Sequence, residues 1–124
     1  MSVPAAALEF EDPLDPHEEL DFVLDCSGLL EEGEQIESGY TLAMSSEGTA
    51  LGVTIMSGDR AHARIDGNRS IRFWLEVADA YQTNAAFKDD GTVFPMQVTF
   101  STNADPARTR DRLFLVRVAQ QGKH

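Results

Sequence analysis

Along most of the chain apolar and polar residues alternate one for one, which is the period of a strand with one buried face. Leu20, Phe22, Leu24 and Cys26 share one parity while Asp21, Val23 and Asp25 take the other, predicting a half-buried strand over 20–26 that Ser27-Gly28 ends. Leu29 to Glu34 reads as a connecting turn whose leucines close an open end of the core. A second strand is expected over 35–44, with Ile36, Tyr40, Leu42 and Met44 in step and a bulge at Gly39. Ser45-Ser46-Glu47-Gly48 reads as a turn, and Leu51, Val53 and Ile55 mark the next strand. Ala61, Ala63 and Ile65 then run into Asp66-Gly67-Asn68, a hairpin signal because these residue types accept the positive φ that such turns need. Ile71, Phe73, Leu75 and Val77 set against Arg72, Trp74 and Glu76 give the clearest strand. Residues 78–90 offer one place for a short helical turn before Phe94, Met96, Val98 and Phe100 resume the alternation, with Pro95 putting the start of that strand at an edge or bulge. Phe114, Val116 and Val118 against Leu113, Leu115 and Arg117 define a last strand over 111–119. About seven strands with almost no helical periodicity predict an all-β fold, a single antiparallel β-sandwich.

Residues 1–18 read differently and divide the chain into an extended acidic arm and a sandwich over 19–124. Pro4, Pro13 and Pro16 oppose regular pairing, and Glu9, Glu11, Asp12, Asp15 and Glu18 favour solvent. Leu8, Phe10 and Leu14 alternate with these acids closely enough for the arm to lie along a neighbouring subunit; a frayed terminus is the other reading.

Length and charge narrow the function. The 124 residues suffice for one modest core, which argues against a two-lobed enzyme with a cleft between domains. A lone cysteine, Cys26, forms no internal disulfide, so stability is expected from apolar burial, in a reducing compartment or in an assembly that never needed oxidation. No stretch approaches the ~20 apolar residues of a membrane span, and Met1 to Ala7 carries no positive region ahead of an apolar one. A soluble chain made in the cytoplasm, with no membrane partner, is expected. The net charge is -11, but it is unevenly distributed: residues 1–59 hold 14 acids and no Lys or Arg, whereas residues 60–124 hold 7 acids and 10 bases. An acidic surface repels a phosphate backbone, so nucleic acid is not expected as a partner.

Candidate chemistry is sparse. His17, His62 and His124 are scattered, with no metal-ligand spacing. Cys26 falls on an apolar parity, where a thiol packs as a small hydrophobe. Acid clusters such as Asp12, Asp15, Glu18, Glu19 or Glu31, Glu32, Glu34 lack the spaced, glycine-containing loop of a calcium site and read as solvated faces. A glycosidase needs two carboxylates across a cleft, for which the chain has little room. No glycine-rich phosphate loop occurs. The expectation is therefore no catalytic residue, no metal and no cofactor. Contact residues are better candidates. Trp74 flanked by Arg72 and Glu76 suits an interface hot spot if its face is outward, and a second core face if the strand is buried on both sides. Arg108, Arg110, Arg112 and Arg117 suit either the acidic half of a neighbouring copy or neutralisation within one molecule.

Several segments resemble the bacteriophage fiber-tail adaptor family: Leu20-Asp21-Phe22-Val23-Leu24-Asp25-Cys26-Ser27-Gly28-Leu29-Leu30, then Gly33-Glu34-Gln35-Ile36, with Cys26 in place of an aromatic after the Asp. Phe73-Trp74-Leu75-Glu76-Val77, Val98-Thr99-Phe100-Ser101-Thr102 and Arg110-Asp111-Arg112-Leu113-Phe114-Leu115-Val116-Arg117-Val118 extend the likeness over about residues 20–119. The resemblance implies an immunoglobulin-like sandwich in a virion tail that links a fiber or spike to the tail tube or baseplate, with no catalytic residues. Other virion proteins, and further copies of the chain in a symmetric assembly, are the expected partners. Leu8, Phe10, Leu14, Arg72, Trp74, Arg108, Arg110 and Arg112 are the expected contact residues. An arm of this kind orders only on assembly, so the chain lacking residues 1–18 is expected to fold as a monomer. The alternatives are a capsid decoration protein and a carbohydrate-binding module that stacks sugars on Trp74 and Tyr81.

Overall fold

The computed structural model describes residues 8–121. Its strands are β1 (Leu8–Glu9), β2 (Leu20–Asp25), β3 (Thr41–Met44), β4 (Val53–Ile55), β5 (Ala63–Ile65), β6 (Ser70–Val77), β7 (Thr92–Ser101) and β8 (Thr109–Val118). One short helix, α1 (Ser46–Ala50), lies between β3 and β4. The strands form two layers, ordered β1-β8-β7-β3 and β2-β6-β4, with β5 also on β6. β4 and β5 are two pieces of one broken edge: β4 lines the second half of β6 from Val77 to Leu75, and β5 its first half from Arg72 to Ser70. The eight segments therefore fill seven strand positions. The chain passes back and forth between the layers, and the fold is the all-β sandwich that the alternation predicts.

The parity of the sequence decides which faces meet. Ile71, Phe73, Leu75 and Val77 of β6 are buried, as are Phe94, Met96, Val98 and Phe100 of β7 and Phe114, Val116 and Val118 of β8. Phe73 of one layer meets Phe114 of the other with ring centroids 5.7 Å apart. The hairpin between β5 and β6 turns through Asp66, Gly67 and Asn68, all at positive φ (53°, 68° and 61°). Gly91 enters β7 at φ +70°, and a Cβ there would fall 2.0 Å from the Val118 carbonyl oxygen. Only glycine fits that close approach.

Three expectations are corrected. First, residues 8–14 are not a separate arm. β1 pairs in parallel with β8, the Phe10 and Leu14 amides donate to the carbonyls of Leu115 and Arg117, and Leu14 bridges Val118. Leu14 is fully buried, and the Phe10 ring packs edge-on against Phe22, Phe73 and Phe114. The sandwich thus begins by Leu8; Pro13 kinks the pairing strand without preventing it, and apolar burial between the layers outweighs the solvation of the intervening acids. Residues 1–7 lie outside the described residues.

Second, the strand expected over 35–44 is broken by a turn at Ser38-Gly39. The chain changes layer here: the Ile36 amide donates to the Asn68 carbonyl beside one sheet, and the Glu37 amide to the Ser101 carbonyl of the other. Third, the turn expected at 45–48 begins α1, with Ser45 Oγ accepting from the Gly48 amide as an N-cap. Pro95 stands, as expected, where β7 is an edge: residues 92–95 pair in the ladder with β8 alone. It is tolerated because its nitrogen faces β3 just past the last ladder residue, Met44, where only the Ser45 amide to Pro95 carbonyl bond is made.

Because Leu14 fills the core, Leu14→Ala is expected to destabilise the isolated chain by about 2–5 kcal/mol in chemical denaturation. Loss of residues 1–18 should likewise unfold the chain rather than release an intact monomer; an unchanged midpoint for Leu14→Ala would contradict the packing.

Candidate protein-binding surfaces

In β7 and β8 the residues opposite the core face include four that are not polar. Register places Leu115 beside Pro95 and Arg117 beside Val93, with Leu113 beside Gln97, all on the outer face. Leu113 is 57% exposed, while Val93, Pro95 and Leu115 are partly so. Polar contacts rim the strip: Gln97 Nε2 donates to Asp111 Oδ1 at 2.7 Å, and Arg117 Nε lies 3.6 Å from Glu9 Oε2. An apolar strip on an outer sheet face with a polar border is the composition of a contact surface. The apolar residues on the polar parity of β7 and β8 were the signal for this face; the sequence reading assigned them no role.

The expected contact residues are placed as follows. Leu8 joins β1 through its backbone, opposite Phe114; its side chain is not among the described groups. Phe10 and Leu14 are committed to the chain's own core, so neither is free to reach a neighbour as expected. Trp74 is half-buried on the outer face of β6, so β6 is not buried on both sides. The Arg60 guanidinium sits over its ring at 4.6 Å from the centroid and is held by Glu19 at 2.8 Å. That face of the ring is taken by a cation, which leaves Trp74 poorly placed to stack a sugar. Arg72 lies 3.4 Å from Asp21 on the neighbouring strand.

Arg108 is not free for a neighbour either: its guanidinium forms a two-pronged pair with Glu34 and also donates to the Leu29 carbonyl. Arg110 reaches the same carbonyl at 3.4 Å, and Arg112 is exposed, donating to the adjacent Asp111 carbonyl at 2.9 Å. Arg110 and Arg112 have the parity of Phe114, so they sit where the inner face runs out at the end of the sandwich. The four Arg–carboxylate pairs among the described residues all join an arginine of the second half to an acid of the first within one molecule. For Arg108 and Arg117 the alternative of neutralisation within the chain holds, whereas Arg110 and Arg112 meet only backbone carbonyls.

The Glu34–Arg108 pair is the most buried of them, with Glu34 only 5% exposed. It ties the 27–36 connection to the β7–β8 turn, and the Arg69 guanidinium adds bonds to the Glu31 and Glu34 carbonyls. Hydrogen bonds from Arg108, then the Glu31 backbone and Thr102, hold the Glu34 carboxyl down from its usual 4.5 to about 2. Cys26 is 1% exposed and burial pushes its thiol up to about 11, the environment of an inert packing residue. Among the described residues no group of three or more His, Cys, Asp or Glu side chains converges to hold a metal ion, and no helix is long and apolar enough to cross a membrane.

No known family model matches the chain, and no curated protein matches it.

The depressed Glu34 pKa contributes stability that is present above about 4.5 and lost as pH falls toward 2. The stability gap between the native chain and Glu34→Gln, followed by urea denaturation at a series of pH values, should be widest at neutral pH and close across that window. A gap that does not change with pH would contradict the pairing. Cys26 should react with a thiol reagent only as fast as the chain unfolds.

Proposed function

We propose that this chain is a structural protein of a bacteriophage virion, a tail component that joins a fiber or spike to the tail tube or baseplate and acts by binding alone. The observation that carries the reading is the strip of Val93, Pro95, Leu113 and Leu115 on the outer sheet face, with Leu113 57% exposed. Burying one such leucine against a partner is worth about 1.5–3 kcal/mol, enough to make it an anchor of a contact. The resemblance of residues 20–119 to fiber-tail adaptors supports the placement in a tail. Of the arginines on the β8 strand, Arg117 is engaged with Glu9 at the border of the strip, so the proposed contact is apolar at its centre and charged only at its rim. The chain is made in the host cytoplasm and works in the assembled particle, with other virion proteins and further copies of itself as partners.

In phage carrying Leu113→Glu, the purified variant should keep the native thermal midpoint while its incorporation into particles falls roughly tenfold, the equivalent of about 1.4 kcal/mol of lost contact. Incorporation at the native level would overturn the assignment of this face. Labelled chain found on heads instead of tails would replace the tail role with that of a decoration protein.

A further inference from the structure

A β-sheet edge offers unpaired amides and carbonyls to any extended chain, and folded proteins shorten, break or cover their edges for that reason. Three of the four edges here are treated in this way. β8 is lined by β1 and Leu14 over its second half, from Phe114 to Val118, β3 runs for only four residues before α1, and the β4/β5 edge is interrupted by the single turn Gly58–Arg60. β2 differs: it runs unbroken for six residues, and among the described residues only β6 pairs with it. The Cys26 amide bonds to the Arg69 carbonyl on the β6 side, so by alternation the backbone groups of Asp21, Val23 and Asp25 point to the open side. Alongside that edge runs a groove of about 490 Å³ lined by Phe10, Glu11, Asp12, Leu20 and Phe22 together with Asp21 and Val23.

We infer that β2 is a strand-addition site for an extended segment of another polypeptide in which Lys or Arg alternates with apolar residues. The two faces of the site require this alternation. A strand added beside β2 would place every second side chain over the groove floored by Phe10, Leu20 and Phe22. The others would lie on the outer face beside Asp21, Val23 and Asp25, where Val23 is already 39% exposed. Glu11 and Asp12 are exposed at the groove wall and form no ion pair among the described residues, so the site selects positive charge. The same acids repel a second copy of this acidic chain. Its one Arg-x-Arg strand, Arg110 to Arg112, is already bonded into β8 and β7. Main-chain bonds supply affinity here and the alternating side chains supply specificity.

This site rests on the reading of the chain as an assembly protein, but peptide addition in solution is independent of particle incorporation, so either can fail without the other. The probe is a seven-residue synthetic peptide alternating Lys or Arg with Val, titrated into the full chain and followed by amide NMR. The Asp21, Val23 and Asp25 amides should shift and become protected, and a peptide of the same composition carrying central prolines should do neither. Val23→Pro removes an outward amide without touching the β6 ladder. It should keep the fold and weaken binding roughly tenfold, the loss of about one main-chain bond. Glu11→Lys with Asp12→Lys, at positions exposed to solvent, should weaken it comparably. No binding, shifts confined to the β7–β8 face, or equal affinity for Val23→Pro would each overturn the proposal. So would self-association of the chain that Val23→Pro abolishes, which would make a second copy the occupant.

Discussion

The pairing of residues 8–14 with β8 is the constraint from which the remaining features follow. β8 spans ten residues and would otherwise stand as a long open edge beside an exposed ring cluster. β1 and the Leu14 bridge cover the half of that edge from Phe114 to Val118 in parallel, and Phe10 enters between the layers, where it meets Phe22 and Phe73 from one sheet and Phe114 from the other. Burial of Leu14 and ordering of its neighbours are a single event, because the Asp15 carboxylate accepts from the Gln121 amide and so ties the start of the sandwich to its end. A segment spent in this way is no longer available to a neighbour. What the molecule has left to offer is an apolar strip on one layer and an unpaired edge on the other.

The segregation of charge along the sequence is resolved by the same folding. The first half has no Lys or Arg with which to balance its acids, so any of them that pairs with an arginine must reach into the second half; β6 and β8 carry Arg72 and Arg117 to positions where this occurs. Most of these pairs are half-exposed and contribute little individually. Glu34 with Arg108 is different, because a buried carboxylate without its partner is costly; that pair fixes the loop at one end of the sandwich. Charge asymmetry in the sequence is therefore a property of the fold before it is a property of any assembly.

Strands with one buried face were legible because alternation carries the whole signal: β2, β6, β7 and β8 stand where parity puts them, and the Asp66-Gly67-Asn68 turn follows from residue type. The misplaced elements are those where local pattern and tertiary demand diverge. Ser45 to Ala50 is too short for helical periodicity to register, although Ser45 is a good cap residue. Residues 35–40 alternate like a strand but are pulled between two sheets. Phe10 and Leu14 read as contacts for a neighbouring subunit, because only the partner strand, some 105 residues away, shows that they cover the chain's own core. The Glu34–Arg108 pair joins residues 74 apart and leaves no local trace. The apolar strip was readable in principle, since Leu113 and Leu115 break the polar parity of β8.

The account turns on the opening segment being a strand of its own molecule. Native-state hydrogen exchange on the isolated chain, resolved at single amides, tests this directly. The account predicts that the Phe10 and Leu14 amides exchange far more slowly than open chain, through their bonds to Leu115 and Arg117, at every protein concentration. Open-chain exchange at these two amides in the isolated molecule, with protection arising only in an assembly, would contradict it.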